Sequence, residues 1–149
     1  MAQKIPDGLK NLLGAQKLGY VATVSGDNTP NLSPKGTIIG WGDTALAFAD
    51  IRSPKTIQNL EKNANLEINL VDPLLRRGFR ISGEGTILRE GNTFEAIFKH
   101  YRRQGIKSPI NSIVLVSIKK ITEVKSPLYD LGISEAEIKK KWKKYFSEL

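Results

Sequence analysis

Apolar residues in this chain recur mainly at every second position, in short runs cut by tight-turn residues. That spacing suits half-buried strands, whose side chains alternate between two faces, rather than long helices. Leu66 to Val71 sets Leu66, Ile68 and Leu70 against Glu67, Asn69 and Val71, and Asp72 and Pro73 end it. Phe79 to Leu88 alternates again, with Phe79, Ile81 and Ile87 on the face that carries Gly83 and Gly85. Glycines inside a strand mark a bend, a bulge or a close approach of backbones. Upstream, Leu18 to Val24 is rich in β-branched and aromatic residues, and Ser25 to Asn28 reads as a hairpin turn. A second strand is expected at Asn31 to Ser33, resuming at Thr37 to Trp41. A turn at Gly42 to Thr44 then leads into Ala45 to Ala49. Ser112 to Ile118 is the most apolar run and is expected at the centre. An antiparallel meander is the simplest arrangement of the first strands.

Helical spacing appears in only a few places. Residues 7 to 13 put Leu9, Leu12 and Leu13 on one side, with Asp7 as a cap. Ser53 and Pro54 stand where an N-cap and a first helical residue belong, before Ile57 and Leu60, and this helix should end near Asn63. Asn92 and Glu95 have capping-box spacing ahead of Phe94, Ile97, Phe98 and Tyr101, and Gly105 ends that helix. Ser134 and Glu137 repeat the signature before a basic C-terminal helix at about 134–148, with Ile138, Trp142 and Tyr145 along one side. The strands are joined mostly by turns, not by crossover helices, which argues against a doubly wound parallel sheet. The expected fold is mainly β, a closed or split barrel of six to seven mostly antiparallel strands with short peripheral helices.

The 149 residues match one domain with one core, and no linker or internal repeat divides 1–149. With no cysteine, disulfides and thiolate metal sites are excluded. No apolar run is long enough for a membrane span, and the first residues lack a signal-peptide stretch, so a cytoplasmic protein is expected. Asp43, Asp50 and Asp72 are scattered without a His or Cys cluster, so no metal site is expected. No serine has a histidine base nearby in the expected fold, and no catalytic residue can be named. The formal charge of +8 would attract a phosphorylated ligand or nucleic acid. Five of the positive charges come from Lys139 to Lys144, however, so charge alone says little about a pocket in the body.

The start of the Ser53 helix has anion chemistry of its own. A helix leaves its first backbone N–H groups unpaired, and those groups with the helix dipole favour an anion. Hydroxyls of Ser53 and Thr56 and the ammonium of Lys55 add donors and charge. Read locally, the same residues also make an ordinary helix cap with a solvated lysine.

The segment Leu46 to Asn63, LAFADIRSPKTIQNLEKN, resembles the flavin-nucleotide-binding split barrels related to pyridoxamine 5'-phosphate oxidase. The N-terminal helix, GYVATVSGDNTPNLSPKG, LEINLVD, FRISGEGTIL and the later helix and strand follow in the family's order, covering residues 7 to 124. The resemblance implies FMN bound at the interface of a homodimer. It implies Ser33, Pro34 and Lys35 beside the isoalloxazine ring, and Ala49, Asp50 and Ile51 along the ribityl chain. Ser53, Lys55 and Thr56, with Arg52, would hold the phosphate. Arg76, Arg77 and Arg80 would reach a flavin of the neighbouring subunit. The C-terminal arginine and histidine that serve the oxidase substrate are missing here, which argues against efficient pyridoxamine 5'-phosphate oxidation. Relatives binding the deazaflavin F420 keep that cofactor open as an alternative. Haem is disfavoured, since the sole histidine, His100, flanks a helix's apolar face. A nucleic-acid-binding barrel without flavin is the alternative of a different class, from the basic and aromatic C-terminal helix.

Overall fold

The computed structural model describes residues 3–149. Its elements are α1 (Asp7–Ala15), β1 (Gly19–Val24), β2 (Pro30–Lys35), β3 (Ile39–Trp41), β4 (Ala45–Asp50), α2 (Pro54–Lys62), β5 (Asn65–Asp72), β6 (Arg77–Leu88), α3 (Asn92–Arg103), β7 (Ser112–Lys125) and α4 (Glu135–Ser147). A 3₁₀ turn, Pro127–Tyr129, joins β7 to α4.

All seven strands lie in one antiparallel sheet of order β2-β1-β5-β6-β7-β4-β3. This corrects two expectations. The sheet is not closed into a barrel: β2 and β3 are its two edges, and no ladder joins them. Nor do residues 31 to 41 form one interrupted strand, since β2 pairs with β1 and β3 with β4 at the opposite edge. Part of the reason is in β2 itself. Pro30 and Pro34 lack the N–H that a second ladder would need, so the strand suits an edge. Residues 36–38 carry the chain from one edge to the other, a span of at most about 14 Å. Side chains pin this crossing where a ladder does not. Ala49 N–H donates to Thr37 Oγ1 at 2.9 Å, and the Tyr101 hydroxyl donates to the Thr37 carbonyl at 2.8 Å.

Two cores explain the two sequence patterns. On the inner face, Val21, Ile68, Leu70, Ile81, Phe48 and Val116 pack with Leu9 and Leu13 of α1 and Ile57 and Leu60 of α2. Burying each such side chain contributes about 1.5–3 kcal/mol. A smaller core joins Ala47, Ala49 and Ile113 to Ile97 and Tyr101 of α3. Strands β4 and β7 are therefore covered on both faces where they pair, which is why their sequences lose the alternation. The outer face of β1 and β2 is different. Tyr20 alternates with the buried Val21, and Leu32 pairs with Ala22. Both stand exposed, as does Leu18.

Strand β7 runs seven residues past its expected end at Ile118. A bulge hides the continuation: Ser82 pairs with Lys120 but Gly83 with Ile118, so Lys119 is extra and two lysines follow one another. Gly83 is required there, because a Cβ would lie 2.4 Å from the Ser117 carbonyl oxygen. Helix starts were only partly legible. Ser134 caps α4 as expected, accepting from Glu137 N–H at 3.2 Å. Asp7 is instead the first residue of α1, behind Pro6. Asn92 likewise lies inside α3, whose N-cap is Gly91 at φ +102°.

The β1–β2 turn carries a pH-sensitive carboxylate. Asp27 accepts from the Ser25 hydroxyl and from Thr29 N–H, and these bonds hold its pKa down from 3.8 to about 2. A carboxylate depressed in the folded state stabilises above its unfolded pKa and loses that contribution as pH falls. The hairpin should therefore lose stability between pH 3.8 and about 2. A carboxyl NMR titration of Asp27 checks this, with Asp27→Asn expected to remove the transition.

Candidate functional site

The end of β4, the start of α2 and the edge strand β2 converge. Ala49, Asp50, Ser53 and Thr56 are all buried, whereas Arg52, Pro54 and Lys55 are exposed and Ile51 is half-buried. Asp50 shapes the turn. Its Oδ1 accepts from Ser53 N–H at 3.0 Å, its Oδ2 accepts from the Ser112 hydroxyl at 3.2 Å, and its carbonyl accepts from Asn111 N–H at 2.9 Å. Asn111 also donates through Nδ2 to the Ile51 carbonyl at 3.2 Å. Nothing in the sequence marks Asn111 or Ser112, because their part depends on β7 lying beside β4.

Ser53 occupies the N-cap position of α2 with Pro54 as the first helical residue, but its hydroxyl makes no cap hydrogen bond. It accepts instead from Lys35 Nζ at 2.5 Å, and the same ammonium donates to Ser33 Oγ at 2.6 Å. Burial pushes the Lys35 ammonium below the ordinary lysine value, and Asp50 partly opposes that shift. The first-turn N–H groups of α2 therefore have no side-chain cap. Asn59, one turn on from Thr56, donates to Thr23 Oγ1 at 3.0 Å and anchors the helix to β1. A helix start with its amides uncapped, two hydroxyls and two lysines has the donor set of an anion site.

Of the expected residues, Ser33, Lys35, Asp50 and Ser53 thus form one hydrogen-bonded group, and Ala49, Ile51, Arg52, Lys55 and Thr56 flank it along the chain. Pro34 lies on the outer face beside Tyr20. The three arginines lie apart. The Arg76 guanidinium stacks 3.8 Å from the centre of the Trp142 ring, on a backbone at φ +56°. Arg77 pairs with Glu123, which raises its pKa, and lies 5.4 Å from the centre of the Tyr129 ring. Arg80 is exposed, in the register row that runs from Pro34 through Tyr20 and Asn69. His100 meets Trp41 edge-on, with ring centres 5.9 Å apart. Among the described residues no group of His, Cys, Asp and Glu could hold a metal, and no helix is long and apolar enough to cross a membrane.

Residues 5–125 match the family model described as pyridoxamine 5'-phosphate oxidase. HupZ of Group A Streptococcus is 30% identical in a crystal structure that matches 82% of this chain and 95% of its own, with a TM-score of 0.75. An FMN-binding protein from Syntrophomonas wolfei is 21% identical over 80% of this chain and 86% of its own, at TM-score 0.71. A protein described as F420 reductase is 21% identical over 79% of this chain and 98% of its own, at TM-score 0.61. No curated protein matches the sequence.

Proposed function

This chain belongs to the pyridoxamine 5'-phosphate oxidase family, and on that premise we propose that it is an FMN-binding flavoprotein that acts as an oxidoreductase on a small partner. The observation that carries the reading is the uncapped start of α2, where backbone amides, the Thr56 and Ser53 hydroxyls and Lys55 offer a dianionic phosphate its natural donors. Ala49, Asp50 and Ile51 would border the ribityl chain. Bound FMN supplies the electron- or hydride-transfer chemistry, and the protein's part is to bind, orient and shield it. Pyridoxamine 5'-phosphate is not the substrate proposed, because residues 139–149 contain neither arginine nor histidine.

The reading includes a homodimer. Leu18, Tyr20 and Leu32 are exposed apolar side chains, two of them on the outer face of an edge of the sheet, and Arg80 stands on the same face. A second copy would cover them and could bring its arginine to the flavin. An interface of this kind buries more than about 1,200 Å² in total. The test is titration of the purified protein with FMN, riboflavin and F420, followed by absorbance, with light scattering on the same samples. FMN bound in preference to F420, at twice 16.5 kDa, is the expected result. Preference for F420 would replace the cofactor, and a colourless protein that elutes with nucleic acid would replace the function.

A further inference from the structure

Lys55 meets solvent, but the same place in the fold holds a second lysine in its interior. Lys35 is 7% exposed. Its ammonium has two hydroxyl acceptors, Ser33 and Ser53, for three N–H donors. Among the described residues no carboxylate lies within ion-pair distance of it. Asp50 is the acidic group whose charge reaches it, and both Asp50 oxygens already bond Ser53 N–H and the Ser112 hydroxyl. A buried cation without a paired anion is costly.

Its position adds a second mismatch. Nζ lies 2.5 Å from the side chain at the N-cap of α2, where the helix dipole presents its positive end and disfavours cations. A third is that the Ser53 hydroxyl accepts from the lysine and makes no cap hydrogen bond to the helix. An anion at the start of α2 relieves all three. It pairs the ammonium, takes the remaining N–H and meets the uncapped amides.

We propose that Lys35 is a second cationic anchor for the ligand's phosphate, held in place by Ser33 and Ser53. This rests on the flavin-nucleotide reading and moves Lys35 from the ring, where the family resemblance puts it, to the phosphate end. Two serines fix the long side chain before the ligand arrives, so little rotamer entropy is lost on binding. A purely structural latch between β2 and α2 makes the opposite prediction for the empty protein. Removing a latch lowers the melting temperature. Removing an unpaired buried charge raises it or leaves it unchanged, because Ser53 becomes free to cap α2.

The experiment compares wild type with Lys35→Met and with Lys35→Gln, which keeps a donor for the serines. FMN and riboflavin are titrated by flavin fluorescence, and melting is followed with and without millimolar inorganic phosphate. Both variants should bind FMN about tenfold or more weakly, bind riboflavin unchanged, lose the stabilisation by phosphate and melt no lower than wild type when empty. Equal losses of FMN and riboflavin, unchanged FMN binding, or failure of both variants to fold would overturn the proposal. If wild type binds neither flavin yet phosphate stabilises it through Lys35, the flavin reading falls and the anion anchor stands. If neither flavin nor phosphate has any effect on wild type, both fall.

Discussion

Lys55→Met is expected to weaken FMN binding by roughly tenfold to a hundredfold and to leave riboflavin binding almost unchanged. Lys55 falls in the first turn of α2 and is exposed, so its ammonium can reach a phosphate docked on the uncapped amides. A hydrogen bond to a charged group contributes about 1.5–3 kcal/mol, and each 1.4 kcal/mol is about tenfold in affinity. Riboflavin lacks the phosphate and should not sense the change. Because Lys55 faces solvent, added salt should narrow the difference between wild type and variant for FMN. Thr56→Val should give a smaller FMN-selective loss, since it removes a neutral hydroxyl. Fluorescence titration of both flavins measures these effects. Parallel losses for both would mean that the ring site or the fold was disturbed, and no loss for either would place the phosphate elsewhere.

Gly78→Ala should be among the most destabilising single substitutions in the chain. Gly78 pairs with Val71 and Val124 at the start of β6. A Cβ built there lies 1.9 Å from the Leu70 carbonyl oxygen and 2.7 Å from the Val71 Cα, both backbone atoms of the adjacent strand. Neither can rotate away, so the β5–β6 ladder itself must shift. Overpacking of this kind costs about 3 kcal/mol or more when the obstacle is backbone. For a chain of this length that lowers the melting temperature by roughly 6–12 °C. Gly14→Ala is the control of opposite sign. Gly14 lies in α1 with nothing within 4 Å of its would-be Cβ, and replacing a helical glycine by alanine gains about 0.5–1 kcal/mol. Thermal melts of both variants, followed by circular dichroism, test the pair. Equal stabilities would mean that the β5–β6 ladder yields more easily than its geometry indicates.

Some features were legible because they depend only on neighbours along the chain. The alternation in β5 and β6, the Ser25 to Asn28 turn, Pro54 opening α2 and Ser134 capping α4 are all local, and each stands where the residues put it. The position of Ser53, Lys55 and Thr56 at the start of α2 was local in the same sense. What the residues could not show is which edges meet. Pro34 to Gly36 look like an interruption within one strand that resumes at Thr37, but residues 36–38 carry the chain between opposite edges of an open sheet. The extension of β7 was hidden because the bulge at Lys119 shifts the phase of the alternation.

The site divides in the same way. Ser53 stands at the N-cap because of its sequence position, but its hydroxyl is turned from capping to Lys35, eighteen residues away on β2. Arg76 and Arg77 stand beside Trp142, Glu123 and Tyr129, residues that reach them only through the path of β7 and α4. Sequence alone determined the alternation of β5 and β6, the turn at Ser25 to Asn28 and the donors at the start of α2, because backbone preference and periodicity act over a few residues. The tertiary structure decided that the sheet stays open, that a lysine is buried at that helix start and that Arg76 and Arg77 lie against Trp142, Glu123 and Tyr129. Those outcomes follow from which distant side chains compete for the same partner.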